Sequence, residues 1–434
     1  MYYKTIMNKI DSKLVYSLLS SSDILKYLNI KDKAELSSCC KFIYEKTIRL
    51  RLNNLCFDNS EFQEYIDNTQ KGTYWTDENY DLKLEYFDET INKYKTYLSS
   101  MVYSGLDYNL LEYFSQKFKN IGSLCLHSIN LPKNSLKIII ENFHNLHSLT
   151  LSEVKAGCSK SECKNINFKL PSYLRELNWE NCTQFELASS DLSSFKQLSL
   201  APRFMNESIL DISLNLINSL KSIYWINLNY SDDQKFNEII INNPRLASLT
   251  TTLNLLYSGS YNHIINNTNL TKLTILDFGD AIIYNSQLAK PLNIKTLNFY
   301  HKFAEIGPYI NTLIEDCSNL KELEYHSYYG SDQYLFNHIK NLEKLKILTI
   351  IATTYTPSIL DSILPRSNIE KLEICSYYPI KFNLSNFVNL KKLKLINNIN
   401  MLPGLHIWDD IPYYEDLAGW RMISYVKSTQ YWRV

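Results

Sequence analysis

The residues able to do chemistry are sparse and poorly grouped. The chain has eight histidines and nine cysteines. His144 and His147 stand three apart, but neither has a cysteine or carboxylate at metal-site spacing. Cys158 and Cys163 are a close pair, and Cys39 and Cys40 are adjacent. A four-ligand zinc site needs a second pair near the first, and none is present. Phosphate-cradling loops need glycine, because backbone N–H groups must approach the anion closely. The chain has ten glycines in 434 residues and no Walker, Gly-x-Gly-x-x-Gly or Gly-x-Ser-x-Gly motif. The expectation is therefore no enzyme, no cofactor and no metal.

What the sequence does repeat is apolar. Leu320-Lys321-Glu322-Leu323-Glu324-Tyr325 is one copy of the pattern apolar-x-x-Leu-x-apolar. Twelve copies are centred on Leu124, Leu149, Leu177, Leu198, Ile223, Leu249, Leu273, Leu297, Leu323, Leu348, Leu372 and Leu393, 21 to 28 residues apart. A period of 20–29 with this core marks a leucine-rich repeat. The last two apolar residues are two apart, so on a strand both face one side. One unit cannot bury that face alone; stacked units share a core.

Between the strands lie helical patterns. Residues 135–143, 236–241 and 309–317 are examples; in the last, Ile310, Leu313, Ile314 and Cys317 fall on one helix face. Leu110, Leu111, Phe114 and Phe118 predict a helix leading into the first strand, and residues 79–87 and 91–98 also read as helical. The fold class is α/β: a leucine-rich-repeat solenoid over residues 120–400, parallel strands on the concave face and helices on the convex face, with a small N-terminal all-helical module.

Acidic and basic residues number 45 each, so the net charge is zero. A nucleic-acid partner would want a basic excess, and none is expected. No apolar run is long enough to span a bilayer, and the first residues lack the apolar core of a signal peptide. The odd, scattered cysteines suit reduced thiols inside the cell. A cytoplasmic location, with the nucleus as the alternative, is the expectation.

The region before the repeats differs. Leu14, Val15, Leu18 and Leu19, then Ile24, Leu25 and Leu28, then Leu36, Cys40 and Ile43 form short helical stripes within residues 12–52. Asp32 with Glu35 three later resembles a helix start. Ile24, Leu25, Leu28, Asp32, Leu36, Cys40, Lys41, Ile43 and Tyr44 follow the order of an F-box, and this stretch resembles that family. The departure is at the front, where Ser20-Ser21-Ser22 stands in place of the usual Leu-Pro. An F-box ahead of a leucine-rich array is the layout of F-box/leucine-rich-repeat proteins, substrate receptors of SCF-type cullin–RING ubiquitin ligases. The resemblance implies that Ile24, Leu25, Leu28, Leu36, Cys40, Ile43 and Tyr44 meet a Skp-type adaptor and, through it, a cullin complex. The alternative is a helical cap on the first repeat, with no ubiquitin role.

The repeats are similar to the ribonuclease-inhibitor-like type. The Asn that many such repeats place after the strand is replaced by Ile129, Val154, Cys182 and Leu228. No ladder of asparagine side chains is therefore expected, and irregular turns are. Residues 53–119 read as a connector and irregular first repeat, with a loop at Gln70-Lys71-Gly72-Thr73. Residues 401–434 read as an aromatic C-terminal cap carrying Trp408, Trp420 and Trp432.

Function is then expected on the strand face turned away from the core. Its candidate substrate-binding residues are Glu176, Asn178, Tyr224, Asn298, Tyr300, Glu322, Glu324, His326, Lys392 and Lys394. Glu322 and Glu324 make an acidic spot, and Lys392 and Lys394 a basic one. Tyr224 and Tyr300 are candidate anchors, because Tyr is enriched at binding hot spots. The partner expected there is a protein.

Overall fold

A computed structural model describes residues 54–57, 92, 95–104, 108–159, 169–186, 207–211, 216–227, 234–256, 263–264, 267–277, 293–301, 313–314, 317–327, 339, 341–352, 367–376, 387–397, 419–424 and 428–434. In chain order the first strands are β1 (Asn54–Phe57), β2 (Ser100–Tyr103), β3 (Ser123–His127), β4 (Asn130–Pro132), β5 (Ser148–Ser152), β6 (Lys155–Cys158), β7 (Glu176–Glu180), β8 (Thr183–Glu186) and β9 (Glu207–Ile209). There follow β10 (Ser222–Ile226), β11 (Ser248–Thr252), β12 (Lys272–Asp277), β13 (Thr296–His301), β14 (Glu322–Ser327), β15 (Ile347–Ala352), β16 (Lys371–Ser376), β17 (Lys392–Asn397), β18 (Trp420–Ser424) and β19 (Ser428–Arg433). Three helices have eight residues or more among the described residues: α1 (Tyr108–Lys117), α2 (Lys133–Asn142) and α3 (Gln234–Asn242). The chain divides into two compact units, Met1–Tyr173 with Cys182–Ile212, and Leu174–Asn181 with Ser213–Val434.

In the second unit, β7, β10 and then β11 through β17 lie side by side, all parallel. The repeat puts like residues in register. Leu177, Ile223, Leu249, Leu273, Leu297, Leu323, Leu348, Leu372 and Leu393 are successive Cα partners, and none is more than 1% exposed. Two residues on, Trp179, Trp225, Thr251, Ile275, Phe299, Tyr325, Ile350 and Ile374 make a second buried row. Burying each large side chain contributes roughly 1.5–3 kcal/mol, so the two rows dominate the stability of this unit.

The strand starts share one backbone device. The carbonyl of Lys221 accepts from both Ala247 and Ser248, that of Ala247 from Thr271 and Lys272, and that of Thr271 from Lys295 and Thr296. The same pairing continues to the carbonyl of Glu370, which accepts from Lys391 and Lys392. A side-chain ladder runs beside it. The amide nitrogens of Asn269, Asn293, Asn368 and Asn389 donate to the carbonyls of Pro244, Thr268, Glu343 and Ser367, at 2.7–3.1 Å. Each of these asparagines stands just before the first apolar residue of its repeat. An asparagine ladder therefore exists at the entrance of the strands.

β17 is followed by an antiparallel hairpin. β19 pairs with β17, placing Tyr431 opposite Leu393, and β18 pairs with β19. Tyr431 is fully buried. The Arg433 guanidinium donates to the carbonyls of Phe387 and Val388, at the entrance to β17. The hairpin satisfies the backbone that a last parallel strand would leave open.

In the first unit, β1, β2, β3 and β5 are parallel neighbours, with Leu55, Met101, Leu124 and Leu149 in one row. Leu98, Met101 and Tyr103 keep the repeat spacing and are 5%, 0% and 3% exposed. The helix expected over 91–98 does not run to its end: Asn92 is helical, 95–97 form a turn, and Leu98 lies two residues before β2. Behind the sheet, α1 buries Leu110, Leu111 and Phe114, and α2 buries Leu136, Ile139 and Ile140.

This unit also holds a second sheet, β4, β6 and β8 parallel with β9 antiparallel to β8. It forms because the chain turns sharply after the repeat strands. Ser128, Glu153 and Asn181 adopt φ of 48°, 54° and 48°, each just past a strand. Ile129, Val154 and Cys182 are then buried. Their carbonyls accept from Lys155, Thr183 and Leu210 at 2.9–3.2 Å. These turns are regular, against expectation, because backbone groups do what the missing post-strand asparagine does elsewhere.

Two further expectations change. Leu177 pairs directly with Ile223, so the copy at Phe195, Leu198 and Leu200 contributes no strand between β7 and β10; those residues lie outside the described ones. Cys158 is disulfide-bonded, so the thiols are not all reduced; its partner lies outside the described residues. Cys56, Cys125, Cys182, Cys317 and Cys375 are free. The F-box-like residues 12–52, the pattern at 79–87 and the loop at 70–73 also fall outside the described residues. No described helix is long and apolar enough to cross a membrane.

Candidate functional site

Because the register is constant, the outward residues of successive strands also form rows. In the second unit one row runs Asn178, Tyr224, Thr250, Thr274, Asn298, Glu324, Thr349, Glu373 and Lys394. The row at the strand starts runs Glu176, Ser222, Ser248, Lys272, Thr296, Glu322, Ile347, Lys371 and Lys392. Residues about two dozen apart in sequence are thereby neighbours on one face.

The tightest grouping lies on β13 and β14. The Tyr300 hydroxyl donates to Glu324 Oε1 at 3.3 Å, and His326 Nε2 meets the same oxygen at 2.7 Å. The Tyr300 and His326 rings lie 4.0 Å apart between centroids. The bond from His326, opposed by partial burial and aided by Tyr300 and Lys272, holds the Glu324 carboxyl below the usual carboxylate range. Burial, and then Glu324, push the Tyr300 phenol up. Thr296 Oγ1 reaches Glu322 Oε2 at 3.4 Å. The acidic spot is thus built around one carboxylate held by an aromatic ring and an imidazole.

The other candidates group differently. Asn178 and Tyr224 are register partners, with the exposed Glu176 at the strand start. Burial, and then the nearby Glu180 carboxylate, push the Tyr224 phenol up to about 12. β11 and β12 separate this pair from the Tyr300 group. At the far end, Lys394 is ion-paired to Glu373 at 2.8 Å, and Lys392 lies 5.6 Å from the centre of the Trp432 ring. The two lysines are engaged by neighbours and do not form an open basic spot. Asn298, a register partner of Glu324, stands on β13 two residues before Tyr300.

Several contributors escaped the candidate set. Lys272, Thr296, Glu180, Glu373 and Trp432 each act on a candidate residue. The first four occupy outward repeat positions, so stacking the copies in register signals them. Trp432 arrives through the antiparallel hairpin, which no repeat position encodes.

No family model matches the chain, and no curated protein matches it. Among solved structures, the crystal structure of a TLR13–ssRNA13 complex is similar at 15% identity, over 69% of this chain and 57% of that one, with a TM-score of 0.22. The chain thus spans little more than half the length of that neighbour. A likeness this loose carries no argument about fold or function. The register itself shows a long sheet of parallel strands whose like positions stack at the repeat period.

Proposed function

We propose that the chain is a non-enzymatic protein-binding scaffold that presents the outward strand face of its leucine-rich array to a protein partner. The observation that supports it most is the register-aligned outward row. It offers polar and aromatic side chains on a backbone already fixed by its neighbours, so binding orders few groups. Tyr300, Glu324 and His326 form its best-organised patch, and Asn178 with Tyr224 a second. Glu176, Asn298 and Glu322 flank these patches; Lys392 and Lys394 lie at the far end.

The finer reading is an SCF-type substrate-recognition adaptor. It rests on the F-box-like order of Ile24, Leu25, Leu28, Leu36, Cys40, Ile43 and Tyr44, which would dock on a Skp-type adaptor and its cullin. The array would then hold a protein substrate for ubiquitin transfer, with no cofactor of its own, in the cytoplasm or nucleus. The alternative is a scaffold whose N-terminal helices only cap the array.

A pull-down with purified Skp-type adaptor separates the two, comparing the full chain with Ile24→Asp and Leu28→Asp variants. Binding by the full chain and loss in the variants, with unchanged circular dichroism, supports the adaptor reading. Failure of the full chain to bind removes the ubiquitin role and leaves the scaffold. Truncation is a poorer test if it passes residue 53, because Asn54–Phe57 pairs with β2.

A further inference from the structure

The second unit buries polar groups that its apolar rows do not explain. Trp179 Nε1, Thr251 Oγ1 and both side-chain polar atoms of Asn227 are buried without a hydrogen-bond partner among the described residues. Trp179 and Thr251 are 0% exposed and Asn227 is 4%. They cluster in the topology. Trp179 on β7 stacks on Trp225 of β10 at 4.8 Å. Asn227 follows β10 directly, and Thr251 lies on β11, one residue past the Tyr224–Thr250 pair. Trp179 and Thr251 thus lie on the strands either side of Trp225, and Asn227 follows Trp225's own strand two residues on.

Leaving such groups unpaired in an apolar core is costly, and native interiors rarely do so. Thr251 is also the small member of a row that elsewhere carries Trp, Ile, Phe or Tyr.

We propose that ordered water is an integral part of this core, seated around Trp225 at the junction of β7, β10 and β11. The donor and acceptor inventory fits water. Indole Nε1 and the Asn227 amide nitrogen donate; the Asn227 carbonyl accepts; the Thr251 hydroxyl does either. Water accepts two bonds and gives two, the three or so partners typical of buried sites. A metal cation would want more oxygens, and an anion would want more donors or a positive charge; the orphaned groups carry none.

The test is a crystal structure of the full chain at a resolution that shows ordered water, joined to thermal unfolding of Thr251→Val and Asn227→Leu. The expected result is water within about 2.7–3.2 Å of Asn227 and of at least one of Trp179 Nε1 and Thr251 Oγ1. Each variant then strips a partner from that water, and Tm falls on the order of 2–4 °C. A dry core overturns the proposal. So does a Tm that holds or rises in Thr251→Val, since removing a truly orphaned hydroxyl relieves a penalty. Thr251→Val keeps the side-chain shape, so the test survives if Asn227→Leu does not fold.

Discussion

Trp179 on β7 and Trp225 on β10 stack face to face, their centroids 4.8 Å apart and their planes 3° from parallel. They stand 46 residues apart in sequence, nearly twice the usual repeat step. The contact exists because β7 and β10 are direct neighbours in the sheet. Trp225 also approaches Phe236 of α3, at 6.3 Å, so it joins two strands and a helix. Trp225→Ala is expected to cost about 3–5 kcal/mol, the range for deleting a buried aromatic. A urea titration of the variant against the parent chain measures this.

The C-terminal hairpin closes the sheet through Tyr431. Its side chain is fully buried opposite Leu393. Tyr431→Ala is expected to lower stability by about 3 kcal/mol and to loosen β19 from β17. A bared parallel edge is a template for pairing with other chains, so the variant should also self-associate. Light scattering on warming checks that; a variant that unfolds yet stays monomeric would separate the hairpin from edge protection.

The entrance ladder of asparagines invites a substitution series. Asn389 donates to the Ser367 carbonyl at 3.1 Å in a half-buried setting. Asn389→Ala should cost about 1 kcal/mol, the net worth of one such bond. Asn389→Asp should cost more, because the carboxylate cannot donate and faces a carbonyl. Equilibrium unfolding of both variants orders them.

Glu324 ties acid stability to the candidate site. Its carboxyl is held low by the His326 bond, so the folded state favours the ionised form more than the unfolded chain does. That stability is present above the ordinary carboxylate value, about 4.3, and is lost as pH falls through the lower folded value. The gap between the parent chain and Glu324→Gln should therefore close in acid. A pH series of unfolding midpoints shows it, and an NMR titration should place the Glu324 midpoint below an ordinary glutamate.

Tyr224 acts at the other end of the scale. Its phenol ionises at about 12 in the folded chain, against about 10 when exposed. The folded state thus holds a proton that the unfolded state releases. Stability from this group is complete below pH ~10 and drains away as pH rises toward the folded value. Tyr224→Phe should flatten the alkaline limb of the stability curve. Absorbance of the phenolate gives an independent midpoint, and Glu180→Gln should lower it.

Much of the fold was legible because it is written locally. Leu323 and Tyr325 are two residues apart, and a strand must turn both inward; Glu322 and Glu324 must then face outward. What was misread turned on pairing. Leu198 keeps the pattern, yet no strand of its copy enters between Leu177 and Ile223. Met101 lacks the leucine but fills the same buried row as Leu124. No asparagine ladder is expected from the residues after the strands, yet Asn269, Asn293, Asn368 and Asn389 build one before them.

By itself, then, the sequence determined the repeat, its period and the sorting of each strand into a buried and an exposed face. These follow from backbone geometry, which acts over a few residues. Only the tertiary structure decided which copies become neighbours, where the second sheet forms, and which charges meet. Lys394 looked open and is paired to Glu373; Glu324 looked like half of an acidic pair and is held by Tyr300 and His326. Those outcomes depend on register across strands two dozen residues apart, and hydrogen bonds between strands set that register.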